Sequence, residues 1–384
     1  MTDKNFTATS LAAQAMGWID PVTKAVVPPI HMASTYLRDE DNGYRSGRIY
    51  ARSDNPTFDQ VETTLAALEG GAKGLVFSSG MSAATACFLA LTPGSHVVAP
   101  KVMYWSLRNW LAGFARQWGL EVDFVEADRT DAIAAAVRPG ATKLIWIETP
   151  ANPTWCITDI AAAADIAHRA GALLAVDSTV GTPVLTRPIE HGADIVMHSA
   201  TKYLNGHSDI IAGALVGARD DDHWQRLRTL RSQLGTILGQ TEAWLLLRGM
   251  RTLFPRVAWA CRSAETLAQR LSAHPIVAEV LYPGLSTFAG HAKAKKQMTG
   301  GFGGMLSVRV KGGERAAIAS AARVSLWKRA TSLGGVESLI EHRASIEGPG
   351  TPCPIDLLRL SVGVEDAGDL FDDLDQALRR GHNA

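Results

Sequence analysis

Apolar residues in the middle of the chain alternate between two textures. Short runs at His96–Ala99, Glu121–Val125, Lys143–Ile147, Leu173–Val176 and Ile195–Met197 are too brief for helices and predict buried strands. Between them, Asp59–Glu69, Ala83–Leu91, Leu107–Trp118 and Asp159–Ala170 repeat their apolar positions at helical spacing, and Gly171 closes the last. Strand–helix alternation predicts an α/β fold whose mostly parallel sheet is covered on both faces. From about Thr252 the pattern changes. A long helix over Ala258–Ala273, shorter strands such as Met305–Val310 and a closing helix near Ala367–Arg379 predict a smaller α+β unit. The start of the chain fits neither texture. Pro21, Pro28 and Pro29 break helices, and Asp39 to Arg48 is polar with a glycine inside it. The expected organisation is an extended arm over 1–53 that needs another surface to pack on, a large sheet domain over 54–251, and a small C-terminal domain over 252–384. No internal repeat or low-complexity segment stands out.

A chain of 384 residues is too long for one compact core, which agrees with that division. Its 46% hydrophobic and 20% charged content is globular. Lysine plus arginine equals aspartate plus glutamate at 38 each, so nothing electrostatic favours nucleic acid or an anionic membrane. A small acid with a phosphate handle stays open, because one local cluster can bind it. Cys87, Cys156, Cys261 and Cys353 form no C-x-x-C pair and read as reduced thiols. Met1 to Phe6 has no apolar core of a secretory leader, and no apolar run is long enough to span a bilayer. The expectation is a cytoplasmic protein with neither nucleic-acid nor membrane partners.

Several familiar motifs are absent. Gly300-Gly301-Phe302-Gly303-Gly304 lacks the last glycine of a dinucleotide loop and precedes a strand instead of opening a helix. No Gly-Lys dipeptide exists for a Walker loop, and no His-Glu dipeptide for an H-E-x-x-H zinc site. Gly206-His207-Ser208 lacks the second glycine of a nucleophile elbow. No metal is expected; His198 and His207 read as structural residues.

Three segments do combine into chemistry. Ala175-Val176-Asp177-Ser178-Thr179 ends an apolar strand in an acid. His198-Ser199-Ala200-Thr201-Lys202-Tyr203 follows another such strand. Phe77-Ser78-Ser79-Gly80-Met81-Ser82 is a small-residue turn between a strand and a helix. The logic is that of an electron sink. A lysine amine condenses with the aldehyde of pyridoxal 5'-phosphate, so amino-acid substrates enter by exchange. A carboxylate beside the pyridine nitrogen keeps that nitrogen protonated. Asp177 suits the task, because ligands sit outside the carboxyl ends of strands in open α/β sheets. A helix opening at Ser79-Gly80-Met81 aims backbone N–H groups at a phosphate, and Ser199 and Thr201 add hydroxyls beside the lysine. Asp177 precedes Lys202 by 25 residues.

These segments resemble the Cys/Met-metabolism, or trans-sulfuration, family of pyridoxal-phosphate enzymes, and the resemblance runs nearly end to end. His198 to Asp209 is similar to the family's lysine signature. Tyr50-Ala51-Arg52-Ser53-Asp54-Asn55-Pro56-Thr57 is similar to its Y-x-R-x-x-N-P-T segment, and Glu148-Thr149-Pro150-Ala151-Asn152-Pro153 to its E-[ST]-P-x-N-P turn. Ser332-Leu333-Gly334-Gly335 and Leu358-Arg359-Leu360-Ser361 are similar to its two C-terminal signatures. The resemblance implies the aspartate-aminotransferase-like fold. It implies that Lys202 is the Schiff-base lysine and proton shuttle, and that Tyr104 stacks on the ring and joins Lys202 in catalysis. Asp177 would pair with the ring nitrogen, and Asn152 would lie near the 3'-oxygen. Gly80, Met81, Ser199 and Thr201 would bind the phosphate. Tyr50 and Arg52 would reach the phosphate of a neighbouring subunit, which implies a homo-oligomer, a tetramer built as a dimer of dimers with shared sites. Arg359 would clamp the substrate α-carboxylate, with Ser332 and Tyr104 as further substrate contacts.

The sequence departs from the family pattern at the substrate side. Tyr104-Trp105-Ser106 stands where Tyr-Gly-Gly is common, so Trp105 and Ser106 are expected to reshape the pocket wall. Asp177-Ser178-Thr179 replaces Asp-Asn-Thr. Thr331 occupies the place where γ-enzymes usually carry a glutamate. The segment after Glu341-His342-Arg343 lacks the usual Met-Thr-His run. The expected activity is a carbon–sulfur lyase that β-eliminates cystathionine or a related thioether amino acid. The alternative is γ-replacement or γ-elimination, which uses the same residues.

Overall fold

The computed structural model of the chain describes residues 6–348 and 350–383. Met1–Asn5, read above for a leader, lie outside them. The main sheet holds β1 (Lys73–Phe77), β2 (His96–Pro100), β3 (Glu121–Val125), β4 (Thr142–Glu148), β5 (Leu173–Asp177), β6 (Ile195–His198) and β7 (Gly213–Gly217). Their spatial order is β1-β7-β6-β5-β4-β2-β3. The run from β6 to β3 is parallel, whereas β7 is antiparallel to both of its neighbours. Side chains alternate across this sheet. In β4, Leu144 and Trp146 pack with the helix Gly80–Leu89 on one face. Ile145 and Ile147 pack with the helix Ile160–Arg169 on the other. Burial on both faces explains why these strands read as continuous apolar runs.

A second sheet contains β8 (Val277–Leu281), β9 (Met305–Val310), β10 (Lys328–Arg329), β11 (Leu339–His342) and β12 (Leu357–Ser361), in the order β10-β11-β12-β9-β8. The long helix Leu253–Ser272 ties the sheets together. Its Leu253, Val257 and Cys261 share a core with Val196 of the main sheet and with Tyr203 in the turn after β6. Its Ala264, Leu267 and Leu271 share another with Leu306 and Val308 of β9.

Helix boundaries follow capping chemistry more than apolar period. The first long helix runs over Pro56–Glu69; Asn55 caps it at Thr57 N (2.9 Å), and Gly70 ends it at φ 72°. The helix expected from Ala83 opens at Gly80, because Ser79 caps Ser82 N at 3.0 Å. The helix expected over Leu107–Trp118 starts as an α-helix at Trp105–Trp110, passes into a π-helical turn at Leu111–Ala115 and ends in α-helical Arg116 and Gln117. Strand β7, with a glycine at each end, is the element of the main sheet that the apolar pattern did not reveal, and β8, β10, β11 and β12 of the second sheet were not singled out either.

Among the described residues, 6–53 contain a short helix (Ala8–Ala13), turns and an isolated bridge between Thr35 and Tyr50. Val22, Val26, Met32 and Leu37 are exposed there. No helix among the described residues is long and apolar enough to cross a membrane.

Candidate active site

The carboxyl ends of three parallel strands converge. β4 ends at Glu148, β5 at Asp177 and β6 at His198, with Glu148 and Asp177 in register as neighbours. Beyond them opens a cavity of about 480 Å³. It is lined by Gly80, Met81, Tyr104, Asn152, Asp177 and Ser199, and also by Thr201, Lys202, Ser332 and Arg359. Ten of the expected site residues therefore meet in one place.

At one end, the N-terminus of the helix Gly80–Leu89 faces Ser199. The Ser79 cap takes the Ser82 N–H, which leaves Gly80 and Met81 N–H without intrahelical acceptors. A Cβ at Gly80 would lie 2.8 Å from Ser199 Oγ, so only glycine lets the helix end approach that hydroxyl. The Thr201 hydroxyl is more committed. It donates to Ala212 O at 3.1 Å and accepts from Ala212 N at 2.9 Å.

Asp177 is buried and accepts from Thr179 N at 3.0 Å. Burial raises its pKa, while the Thr179 contacts and the nearby His198 pull it back down. Glu148 accepts Tyr104 N at 2.7 Å and Asn152 N at 2.9 Å. Burial, and then the charge of Asp177, push its carboxyl well above the usual range. Glu148 thus holds both Tyr104 and Asn152 in the wall. Sequence reasoning quoted it without a role; its signal was a strand ending in an acid, as at Asp177.

Lys202 Nζ donates to Ser332 Oγ at 2.7 Å. Burial, reinforced by the Arg359 charge, lowers its pKa to about 8. Ser332 sits at φ 94°, a conformation that favours glycine, and such outliers concentrate where a side chain is held for function. Arg359 Nη1 donates to Asn152 Oδ1 at 3.2 Å and Nη2 to Ser332 O at 2.8 Å. Burial lowers its pKa to about 10. Thr331 and Trp105 also line the cavity; Ser106 is not among the lining residues, so only Trp105 alters the wall directly.

Tyr50 and Arg52 are not brought into this cavity. They lie on the arm, where the Arg52 guanidinium sits 5.6 Å from the Tyr50 ring centroid. Sequence reasoning also missed Arg343, which lines the cavity, and a fully buried pair, His198 Nε2 to Glu69 Oε1 at 2.6 Å.

The sequence profile of the "Cys/Met metabolism PLP-dependent enzyme" family matches residues 9–379. The chain belongs to that family. As a trans-sulfuration enzyme it has close similarity to several named activities. Cystathionine gamma-synthase of Mycobacterium tuberculosis is 44% identical over 366 residues, covering 94% of this chain and 93% of the relative. Cystathionine beta-lyase of Bacillus subtilis is 40% identical over 368 residues, with 94% and 93% coverage. The structure of cystathionine gamma synthase from Xanthomonas oryzae in complex with cystathionine superposes with a TM-score of 0.94. It shows 38% identity and covers 99% of this chain and 100% of that one. The protein is therefore a pyridoxal-phosphate enzyme with the aspartate-aminotransferase-like α/β fold. The cavity fits the cofactor: free backbone N–H groups and Ser199 at one end, a buried carboxylate from Asp177, and a lysine amine in the same space.

Proposed function

We propose that the protein is a carbon–sulfur lyase that cleaves a thioether amino acid, cystathionine or a relative of it, at Cβ. The observation that carries the lysine chemistry is Lys202, and the uncharged Thr331 in the cavity wall favours Cβ over Cγ. Lys202 is a buried amine with a pKa lowered to about 8, in one cavity with a buried acid and a guanidinium. When bound, pyridoxal phosphate supplies an aldehyde that joins amino groups and a ring that accepts the electron pair released at Cα. Gly80 and Met81 N–H and Ser199 Oγ hold the phosphate, and Thr201 orders the loop that carries Lys202. Asp177 keeps the ring nitrogen protonated; a cation there offsets the burial that otherwise raises the carboxyl. Tyr104, fixed through its N–H to Glu148, would help hold the ring. Asn152, which accepts from Arg359, would help hold the cofactor, and Arg359 would take the substrate carboxylate. Lys202, as a neutral amine, would remove the Cα proton, and Ser332 Oγ, which accepts from Nζ, would orient that amine. Loss of the thiolate from Cβ, with a proton returned to it to give the free thiol, and addition of one water to the remaining three-carbon unit would give pyruvate and ammonia.

A second reading is γ-replacement or γ-elimination, favoured by the similarity to enzymes named cystathionine gamma-synthase. Lys202 would then act a second time, at Cβ. Product analysis with cystathionine separates the two. The first reading expects more pyruvate than 2-oxobutyrate. Dominant 2-oxobutyrate, or efficient thioether synthesis from an O-acylated homoserine, overturns it in favour of the second.

The same reading divides the chain into an arm (1–53), a cofactor domain (54–251) and a closing domain (252–384) of a cytoplasmic homotetramer. Tyr50 and Arg52 would complete a neighbour's phosphate site. Mixing Arg52→Ala subunits with Lys202→Ala subunits should then restore activity. Exchange of folded subunits without rescue would confine the site to one chain.

A further inference from the structure

Arg359 does not stand alone in the cavity wall. It faces Glu341 in register across β12 and β11, and its Nη2 lies 2.7 Å from Glu341 Oε2. The same oxygen accepts Arg343 Nη1 at 2.9 Å. Arg343 Nε meets Glu347 Oε1 at 3.1 Å, and its Nη2 is buried without a partner. The side chains of Arg343, Glu341, Glu347 and Arg359 are 2%, 7%, 2% and 4% exposed. The two guanidiniums line the cavity, whereas the two carboxylates are not among its lining residues.

The charge balance of this buried group matters. Two cations and two anions cancel. With Arg343 removed, Glu341, Glu347 and Arg359 would carry a net negative charge, and Glu341 would rest on Arg359 alone. An incoming substrate carboxylate would then compete with a resident carboxylate in a poorly solvated place, where like charges are costly. With Arg343 present, Glu341 has another guanidinium to hold it. We propose that Arg343 is a positioning residue for substrate binding: by holding Glu341 it keeps Arg359 available for the substrate carboxylate. This rests on the reading of Arg359 as the carboxylate clamp. The Lys202 amine responds to the same group, since Arg359 and Arg343 lower its pKa and Glu341 raises it.

The test is the affinity of the holoenzyme for glycine, read from the cofactor's absorption band. Glycine has the carboxylate but no side chain to cleave, so the answer does not depend on which bond the enzyme breaks. Arg343→Met should raise the glycine Kd about tenfold or more, and the double variant Arg343→Met/Glu341→Gln should return it to within about threefold of the parent. A purely structural Arg343 would lower the unfolding midpoint in both variants and give no such rescue. Glu341→Gln alone, which keeps Arg343 in place, should tighten glycine at least about threefold, and it decides the matter if Arg343→Met does not fold. An unchanged or raised Kd in Glu341→Gln overturns the proposal, as does an unchanged Kd in folded Arg343→Met. Arg359→Met is the control. If it leaves the Kd unchanged, the clamp itself is wrong and this inference falls with it. If it weakens glycine while Arg343→Met does not, this inference alone falls.

Discussion

The two ends of the cavity are built from different materials. At the end proposed for the cofactor the polar groups are backbone N–H groups, a serine hydroxyl and two acids, each fixed to the end of a strand or the start of a helix. At the end proposed for the substrate they are the long guanidiniums of Arg343 and Arg359, held by the buried carboxylates of Glu341 and Glu347 behind the wall. A strand end cannot move without moving the sheet. A network of guanidiniums and carboxylates can be retuned by one substitution.

Lys202 joins the two ends, since it follows β6 and bonds Ser332. Lys202→Ala should have the largest effect of any single change: no turnover and no covalent capture of the cofactor. Phosphate contacts at the other end should still retain some pyridoxal phosphate. Borohydride reduction followed by mass spectrometry should place the cofactor on Lys202 in the parent enzyme. An adduct on a different lysine would break the comparison at its centre.

Asp177→Asn tests the cofactor end by itself. It keeps the shape and removes the charge proposed to hold the ring nitrogen protonated. A fall in kcat of at least ~10²-fold is expected, with little change in glycine affinity. A loss smaller than about threefold would mean that Asp177 does not touch the ring.

How far each end was legible in the sequence follows the same line. Asp177, Lys202 and Gly80 could be read because each sits beside an apolar run that announces a strand, and strand ends in a parallel sheet open on one side. The layers of the fold were readable for the same reason. Strand β7 was not, because glycines at Gly213 and Gly217 blur its apolar signal; a Cβ at Gly213 would lie 2.0 Å from Ser79 O. Arg343 and Glu341 were quoted without a role. Nothing local distinguishes a charged residue that will be buried against a partner 18 positions away from one that stays in solvent, and Glu341 meets Arg359 only because β11 and β12 pair.

The pH dependence of cofactor capture reads the substrate end's field at the cofactor's lysine. The Lys202 pKa is lowered to about 8, by burial and then by Arg359 and Arg343, with Glu341 opposing them. The amine attacks only when neutral. Its neutral fraction rises about tenfold between pH 7 and pH 9 for such a pKa, so capture by protein stripped of cofactor should quicken about tenfold over that range and then level off. The sign for stability follows. A folded pKa below the unfolded one means that the unfolded chain binds more protons, so this lysine costs stability below about pH 8 and the cost is relieved as pH rises toward 10.5. Arg359→Met should move the capture midpoint upward, because a neighbouring cation is lost. A parent midpoint near pH 10 would detach the two ends from each other.

The smallest expected effect concerns which bond breaks. Thr331 lies at the edge of the cavity, next to Ser332, where γ-enzymes of the family usually carry a carboxylate. A threonine cannot hold the distal ammonium of cystathionine by charge. Thr331 is exposed, so a restored ion contact is worth only roughly 1 kcal/mol, about fivefold in preference. With the lysine machinery intact, loss of that contact leaves β-elimination as the simpler route, because it needs one proton abstraction instead of two. Thr331→Glu should therefore shift the products of cystathionine cleavage about fivefold toward 2-oxobutyrate, read as its ratio to pyruvate. Trp105 offers the competing explanation, since it lines the same cavity where a glycine is common in the family. If Trp105→Gly moves the product ratio further than Thr331→Glu does, pocket shape governs the choice of bond, and the charge at position 331 is secondary.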